Sequence, residues 1–113
     1  MQDRFRFRIP MYSKYEERFT QFIYTDVYHE PLGFIGSAIF KTPEQCTGLK
    51  DKNGRLIYEG DIVWTDEDGY GHIRWDNELA QFFVATEEYY TFDNIFPSEM
   101  EVIGNIHENS ELL

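Results

Sequence analysis

Turn signals recur about every ten residues through the second half of this chain, and that spacing is too short for helices between them. Lys50-Asp51-Lys52-Asn53-Gly54 is a polar cluster ending in Asn-Gly, the pair that supplies the positive φ angles of a tight hairpin. Gly60-Asp61, Asp66-Glu67-Asp68-Gly69 and Asp76-Asn77-Glu78 follow as further turns. The runs between them are rich in aromatic and β-branched residues. Arg55 to Glu59, the run from Ile62-Val63-Trp64, Tyr70 to Trp75, and Ala80 to Thr86 therefore read as strands. A break covers Asn94 to Pro97, and Met100 to Ile106 reads as a last strand with Gly104 as a bulge or a close approach. No helical period persists for three turns. The pattern predicts an all-β chain of short antiparallel strands with little helix, in a small barrel or sandwich.

The first half is less regular. Arg4-Phe5-Arg6-Phe7-Arg8-Ile9 alternates strictly, so a strand here places the three Arg on one face and Phe5, Phe7 and Ile9 on the other. Pro10 then ends the strand or keeps it at a sheet edge. Tyr12 to Arg18 reads as a loop or one helical turn, and Phe19 to Tyr28 as a strand. Glu30-Pro31-Leu32-Gly33 is a turn signal, Phe34 to Phe40 a short apolar run interrupted by Gly36, and Thr42-Pro43-Glu44 a loop or helical turn. Asn109 to Leu113 offers a capping residue and little length, as a tail or one docked turn.

Composition bears on function. The chain has 113 residues, which suits one domain, with no repeat or Gly/Ser linker to divide it. Its aromatic fraction of 18% favours pleated surfaces. Its 21 acidic and 10 basic residues give a net charge of −11, a surface that repels phosphate backbones on average. Nucleic acid is on that ground an unlikely partner, apart from a local basic patch. Cys46 alone makes neither an internal disulfide nor a zinc site, and reads as a small buried hydrophobe. No apolar run reaches the roughly 20 residues of a membrane span. The N-terminus lacks the apolar core of a signal peptide, so a cytoplasmic protein is expected.

At Cys46-Thr47-Gly48-Leu49-Lys50-Asp51-Lys52-Asn53-Gly54-Arg55-Leu56-Ile57-Tyr58-Glu59-Gly60-Asp61-Ile62-Val63 the chain resembles the signature of YopX-like proteins of phages and prophages. Members commonly read Tyr-Thr-Gly-Leu, an Asp–Asn–Gly turn, then Tyr-Glu-Gly-Asp-Ile-Val. The stretch Arg4 to Arg8 resembles the family's basic-aromatic opening strand, and Glu101 to Leu113 its closing segment. Cys46 stands where an aromatic is common, and Ser110 where proline is. The resemblance implies a β-rich fold over 1–113, with 10–44 as a variable segment and 45–113 as the most recognisable core. It implies a phage origin and carries no activity or catalytic residue. The Gly-Asp-hydrophobic turn entering a strand also recurs in SH3-like barrels, so the expected architecture is a partly open SH3-like barrel.

Candidate sites are few. Asp66 to Gly69 lacks the spacing of a calcium loop and reads as a solvated turn. His29, His72 and His107 are widely spaced, and only the fold can show whether any converge on a carboxylate. No phosphate loop, nucleophile elbow or metal motif occurs, so no catalytic residue, cofactor or metal is expected. Arg4, Arg6 and Arg8 form the one concentrated basic feature. They serve either as edge-strand charges paired with the abundant acids, or as an interaction surface. Lys50, Asp51 and Asp61 are read mainly as turn-forming residues and alternatively as a binding edge. The leading expectation is a non-enzymatic phage accessory protein that binds a protein partner or forms a homo-oligomer. Behind it stand an acidic mimic of nucleic acid, a weak nucleic-acid binder using Arg4, Arg6 and Arg8, and an enzyme of unknown class.

Overall fold

The structure, a computed structural model, describes residues 6–26 and 33–113, and for 33–35 the backbone alone. Arg4 and Phe5, residues 27–28, His29, and the 30–32 part of the turn signal lie outside the described residues.

Eleven strands are described, and every pairing is antiparallel. In chain order they are β1 (Phe7–Ser13), β2 (Phe19–Thr25), β3 (Gly33–Ile35), β4 (Ala38–Phe40), β5 (Glu44–Lys50), β6 (Leu56–Tyr58), β7 (Asp61–Thr65), β8 (Gly69–Asp76), β9 (Gln81–Ala85), β10 (Tyr89–Thr91) and β11 (Glu101–Asn105). Among the described residues, the helical content is two single turns of 3₁₀ helix, Pro97–Glu99 and Ser110–Leu112. The first six strands make one sheet in the order β3-β4-β1-β5-β6, with β2 paired to β1, and it curls into a half-barrel. The other five make a second sheet in the order β10-β9-β8-β7-β11. This is the all-β architecture of short strands that the turn spacing implies.

The strands from 10–44 complete the first sheet. β1 is not an edge strand, and Pro10 does not end it. Phe7 and Arg8 pair with β5, while Met11 to Ser13 pair with β4. Pro10 falls at the handover, where that side of β1 has no paired partner, so its missing N–H interrupts neither ladder. Its carbonyl still accepts the Lys41 N–H at 2.9 Å. Tyr12 and Ser13 extend the strand into what the sequence reads as loop. Glu44 opens β5 rather than a helical turn. β10 falls on Tyr89-Tyr90-Thr91, which lack a turn signal of their own.

The apolar core joins the two sheets. Ile57, Val63, Ile73, Val84, Ile95, Met100 and Val102 form one cluster, with Phe82, Tyr90 and Phe92 packed against it. Each such buried aliphatic side chain contributes about 1.5–3 kcal/mol relative to exposure. Gly104 sits at a register shift in β11, and a Cβ there would overlap the Asn109 side chain. The bulge and the close approach are both present.

Candidate functional site

Asp51 follows β5, and its carboxylate takes three backbone N–H groups. Oδ1 accepts from Asn53 and Arg55, and Oδ2 from Val102, each at 2.9 Å. The first two close the hairpin turn, and the third ties that turn to β11. Burial pushes the Asp51 carboxyl up, but these three N–H groups outweigh it and hold it below the usual range. Asp51 is 5% exposed, with its carboxylate engaged inside the fold.

Asp61 is more deeply placed, at 1% exposed. Its Oδ2 accepts the Tyr58 N–H at 2.8 Å, which shapes the β6–β7 turn. Its Oδ1 lies 2.7 Å from Arg8 Nη1, a buried ion pair. Arg8 is itself 2% exposed. The alternation of β1 thus turns Arg8 inward, where it pairs with acids. Its Nε donates to Glu44 Oε1 at 2.8 Å and its Nη2 to the Glu59 carbonyl at 3.1 Å. Phe22 and Tyr58 cover the guanidinium, with ring centroids 4.0 and 5.0 Å from Cζ. Burial works to pull the Arg8 pKa down, and Asp61 and Glu44 more than offset it, so it lies above its ordinary value. Burial also pushes Asp61 up, against the pull of Arg8. The guanidinium governs this coupled pair, because Arg does not lose its proton in proteins.

The network continues through Glu44. Its Oε2 lies 2.8 Å from His107 Nε2, and His107 Nδ1 lies 2.5 Å from the Tyr12 hydroxyl. A carboxylate only accepts, so Nε2 carries the hydrogen. Burial, and then the Glu44 charge, hold the Tyr12 phenol above its usual range, so its O–H donates to Nδ1. The imidazole stacks on Phe19 and meets Phe22 edge-on, at centroid distances of 5.5 and 5.7 Å. The wall of rings leaves His107 12% exposed. Gly60 makes room for Glu44: its φ is +88°, and a Cβ there would come 2.6 Å from Glu44 Oε2.

The three blocks that carry the sequence resemblance therefore meet at one point. Arg8 comes from the opening strand. In the middle block Tyr58 covers Arg8, the Glu59 carbonyl accepts from it, Gly60 clears Glu44, and Asp61 supplies the countercharge. The closing block brings His107, whose N–H and that of Glu108 bond Asn105 Oδ1 at 3.0 Å. A His–carboxylate contact does exist, and it is walled in by Phe19, Phe22 and Tyr12. Sequence reasoning missed Glu44, Tyr12 and the role of His107. Of the three, only His107 lies in a family block; Tyr12 and Glu44 fall in the variable segment 10–44.

Lys50 and Arg6 behave differently. Both are exposed, and they line one cleft with Arg55 and Tyr24. Cys46 is fully buried, as expected of a small hydrophobe. Asp66, Glu67, Asp68 and Glu99 share another cleft. Among the described residues, no group of His, Cys, Asp and Glu is arranged to hold a metal ion, and no helix is long and apolar enough to cross a membrane.

The outer face of the second sheet is aromatic. Trp64 faces Tyr70 across β7 and β8, Arg74 faces Phe83 across β8 and β9, and His72 faces Ala85. The Trp64 and Tyr70 rings meet edge-on at 4.8 Å, and Phe83 stacks on Tyr89 at 4.2 Å. Tyr70 and Tyr89 are 44% and 43% exposed. Burial, and then Arg74, hold His72 below its ordinary pKa, so it is neutral on this face at pH 7.

A half-barrel sheet and a second antiparallel sheet, joined by one apolar cluster and clamped by a buried arginine, define a small all-β protein. The chain belongs to the YopX protein family, whose match spans residues 9–113. Its fold is similar to the crystal structure of protein EF1440 from Enterococcus faecalis, with a TM-score of 0.52 and 24% identity over 95% of this chain and 97% of that one. No curated protein matches the chain significantly.

Proposed function

We propose that this YopX-family chain is a phage or prophage accessory protein that acts in the bacterial cytoplasm by binding protein, without catalysis. The observation that carries this reading is the outer face of the second sheet, where two aromatic pairs, Trp64–Tyr70 and Phe83–Tyr89, lie on four adjacent strands. Large aromatics anchor protein interfaces well, because they bury much area at little entropic cost. For an external partner the −11 charge makes a basic surface the complementary one, whereas two copies of this chain repel and would associate through the aromatics alone, more readily at moderate salt. A second copy of the chain is the first partner to test.

Light scattering coupled to size exclusion, at low and moderate salt, gives the first answer. The expected result is a defined oligomer that the Tyr70→Ser/Tyr89→Ser variant dissociates. A wild type that is monomeric at both salts removes self-assembly. Capture from bacterial lysate then tests an external partner, with the same double variant as control. A partner held equally by wild type and variant would overturn the assignment of this face.

A further inference from the structure

We propose that the cleft between the start of β1, the β2 face and the β5–β6 turn binds a nucleotide-sized ligand that carries a phosphate beside an aromatic base. Arg6 precedes β1, Lys50 ends β5, Arg55 precedes β6, and all three line this cleft with Tyr24 and Tyr58. Its volume of about 500 Å³ lies within the roughly 300–1,000 Å³ of small-molecule sites. The site is separate from the aromatic face proposed above.

The charge distribution argues for an anion. Three of the chain's 10 basic side chains gather here from three segments far apart in sequence. Among the described residues, no carboxylate forms an ion pair with Lys50 or Arg55. Asp51 lies close by, but its two oxygens already hold three backbone N–H groups. Arg8 lies at the floor, where Glu44 and Asp61 neutralise it, so its part is to hold Tyr58 in place. Asp26 lines the adjoining cleft beside Arg6 and Tyr24, and limits how far the positive region extends. A local cationic pocket on a protein of net charge −11 suits a short anion, since a long polyanion would meet the surrounding carboxylates.

The aromatic wall argues for a base. Tyr24 is 61% exposed, and Tyr58 meets it edge-on at a centroid distance of 5.7 Å. Tyr58 is itself only 6% exposed and packs on the Arg8 guanidinium. The Tyr24 ring is thus braced on one side and open on the other. An exposed ring beside cationic side chains is the arrangement on which bases stack while their phosphate is held.

Calorimetric titration of the full chain at low salt tests this, using a nucleoside monophosphate, inorganic phosphate and a short single-stranded oligonucleotide. The monophosphate is expected to bind, more tightly than inorganic phosphate. Lys50→Glu/Arg55→Glu should weaken it by about tenfold or more, since charge-assisted contacts dominate such sites. Tyr24→Ala should weaken the monophosphate and leave inorganic phosphate unchanged. Arg18→Glu makes one such charge reversal in the β1–β2 turn and should have no effect. Absence of monophosphate binding by the folded protein would overturn the proposal. So would equal binding of inorganic phosphate, or binding of the oligonucleotide alone. Should the double charge variant fail to fold, Tyr24→Ala still discriminates, because an unchanged monophosphate affinity there would overturn base recognition.

Discussion

Asp51 shows how one carboxylate both shapes a turn and joins two sheets. Asp51→Ala leaves three N–H donors without their acceptor, and a loss of about 3 kcal/mol in unfolding free energy is expected. Its pH dependence has a definite sign. The folded pKa lies below the unfolded value of about 3.9. The stability it contributes is therefore present above about pH 4 and is lost as pH falls through the folded pKa. Urea midpoints measured from about pH 5 to pH 2 should fall less steeply in Asp51→Asn than in the wild type. Arg8 behaves oppositely in kind, as a cation whose removal orphans two acids. Arg8→Met should cost about 3–5 kcal/mol near neutral pH, because Glu44 and Asp61 would stay buried without a countercharge. That deficit should shrink in acid, where the two carboxyls protonate. A deficit independent of pH would mean that lost packing, not charge, is the cause.

The turns are where local chemistry and tertiary demand separate. Gly54 and Gly60 have nearly the same φ, +80° and +88°, and look alike as turn glycines. Only Gly60 lies against a side chain, Glu44. Gly54→Ala should cost about 1 kcal/mol from backbone strain, while Gly60→Ala should cost at least about twice that, since it also displaces Glu44 from Arg8 and His107. Chemical denaturation of the two variants checks the ordering, and equal costs would show that Glu44 relaxes freely. The strands from Leu56 to Ala85 were legible because their alternation and turn residues are local. β10 was not: it closes a local hairpin with β9, but the Thr86-Glu87-Glu88 turn between them has none of the Gly, Asn or Pro that mark a turn. Nor was Pro10 inside β1, whose tolerance rests on the change of neighbour from β5 to β4.

At the level of the whole molecule, a net charge of −11 on 113 residues leaves the exposed acids repelling one another on balance. Raising salt screens that repulsion over a Debye length of about 8–10 Å, while the buried Arg8 pairs are shielded from it. The melting temperature is therefore expected to rise between low and moderate salt. A fall would show that exposed attractions such as Lys52–Glu101 outweigh the net charge. The cleft of Arg6, Lys50 and Arg55 is a local exception to that negative field.

By itself the sequence determined the fold class, most turns of the second half and the family, because periodicity and turn chemistry act over a few residues. It also marked Gly60, Asp61 and Gly104 as backbone-shaping positions. The tertiary structure alone decided what the Arg face does. Arg8 finds Glu44 at a separation of 36 residues, Glu44 finds His107 across 63, and Tyr12 finds His107 across 95. A strand's alternation tells which residues share a face, but not which face is buried. That depends on what the rest of the chain lays over it. Here Phe22 and Tyr58 cover Arg8, while Arg6, two residues earlier, stays at the surface.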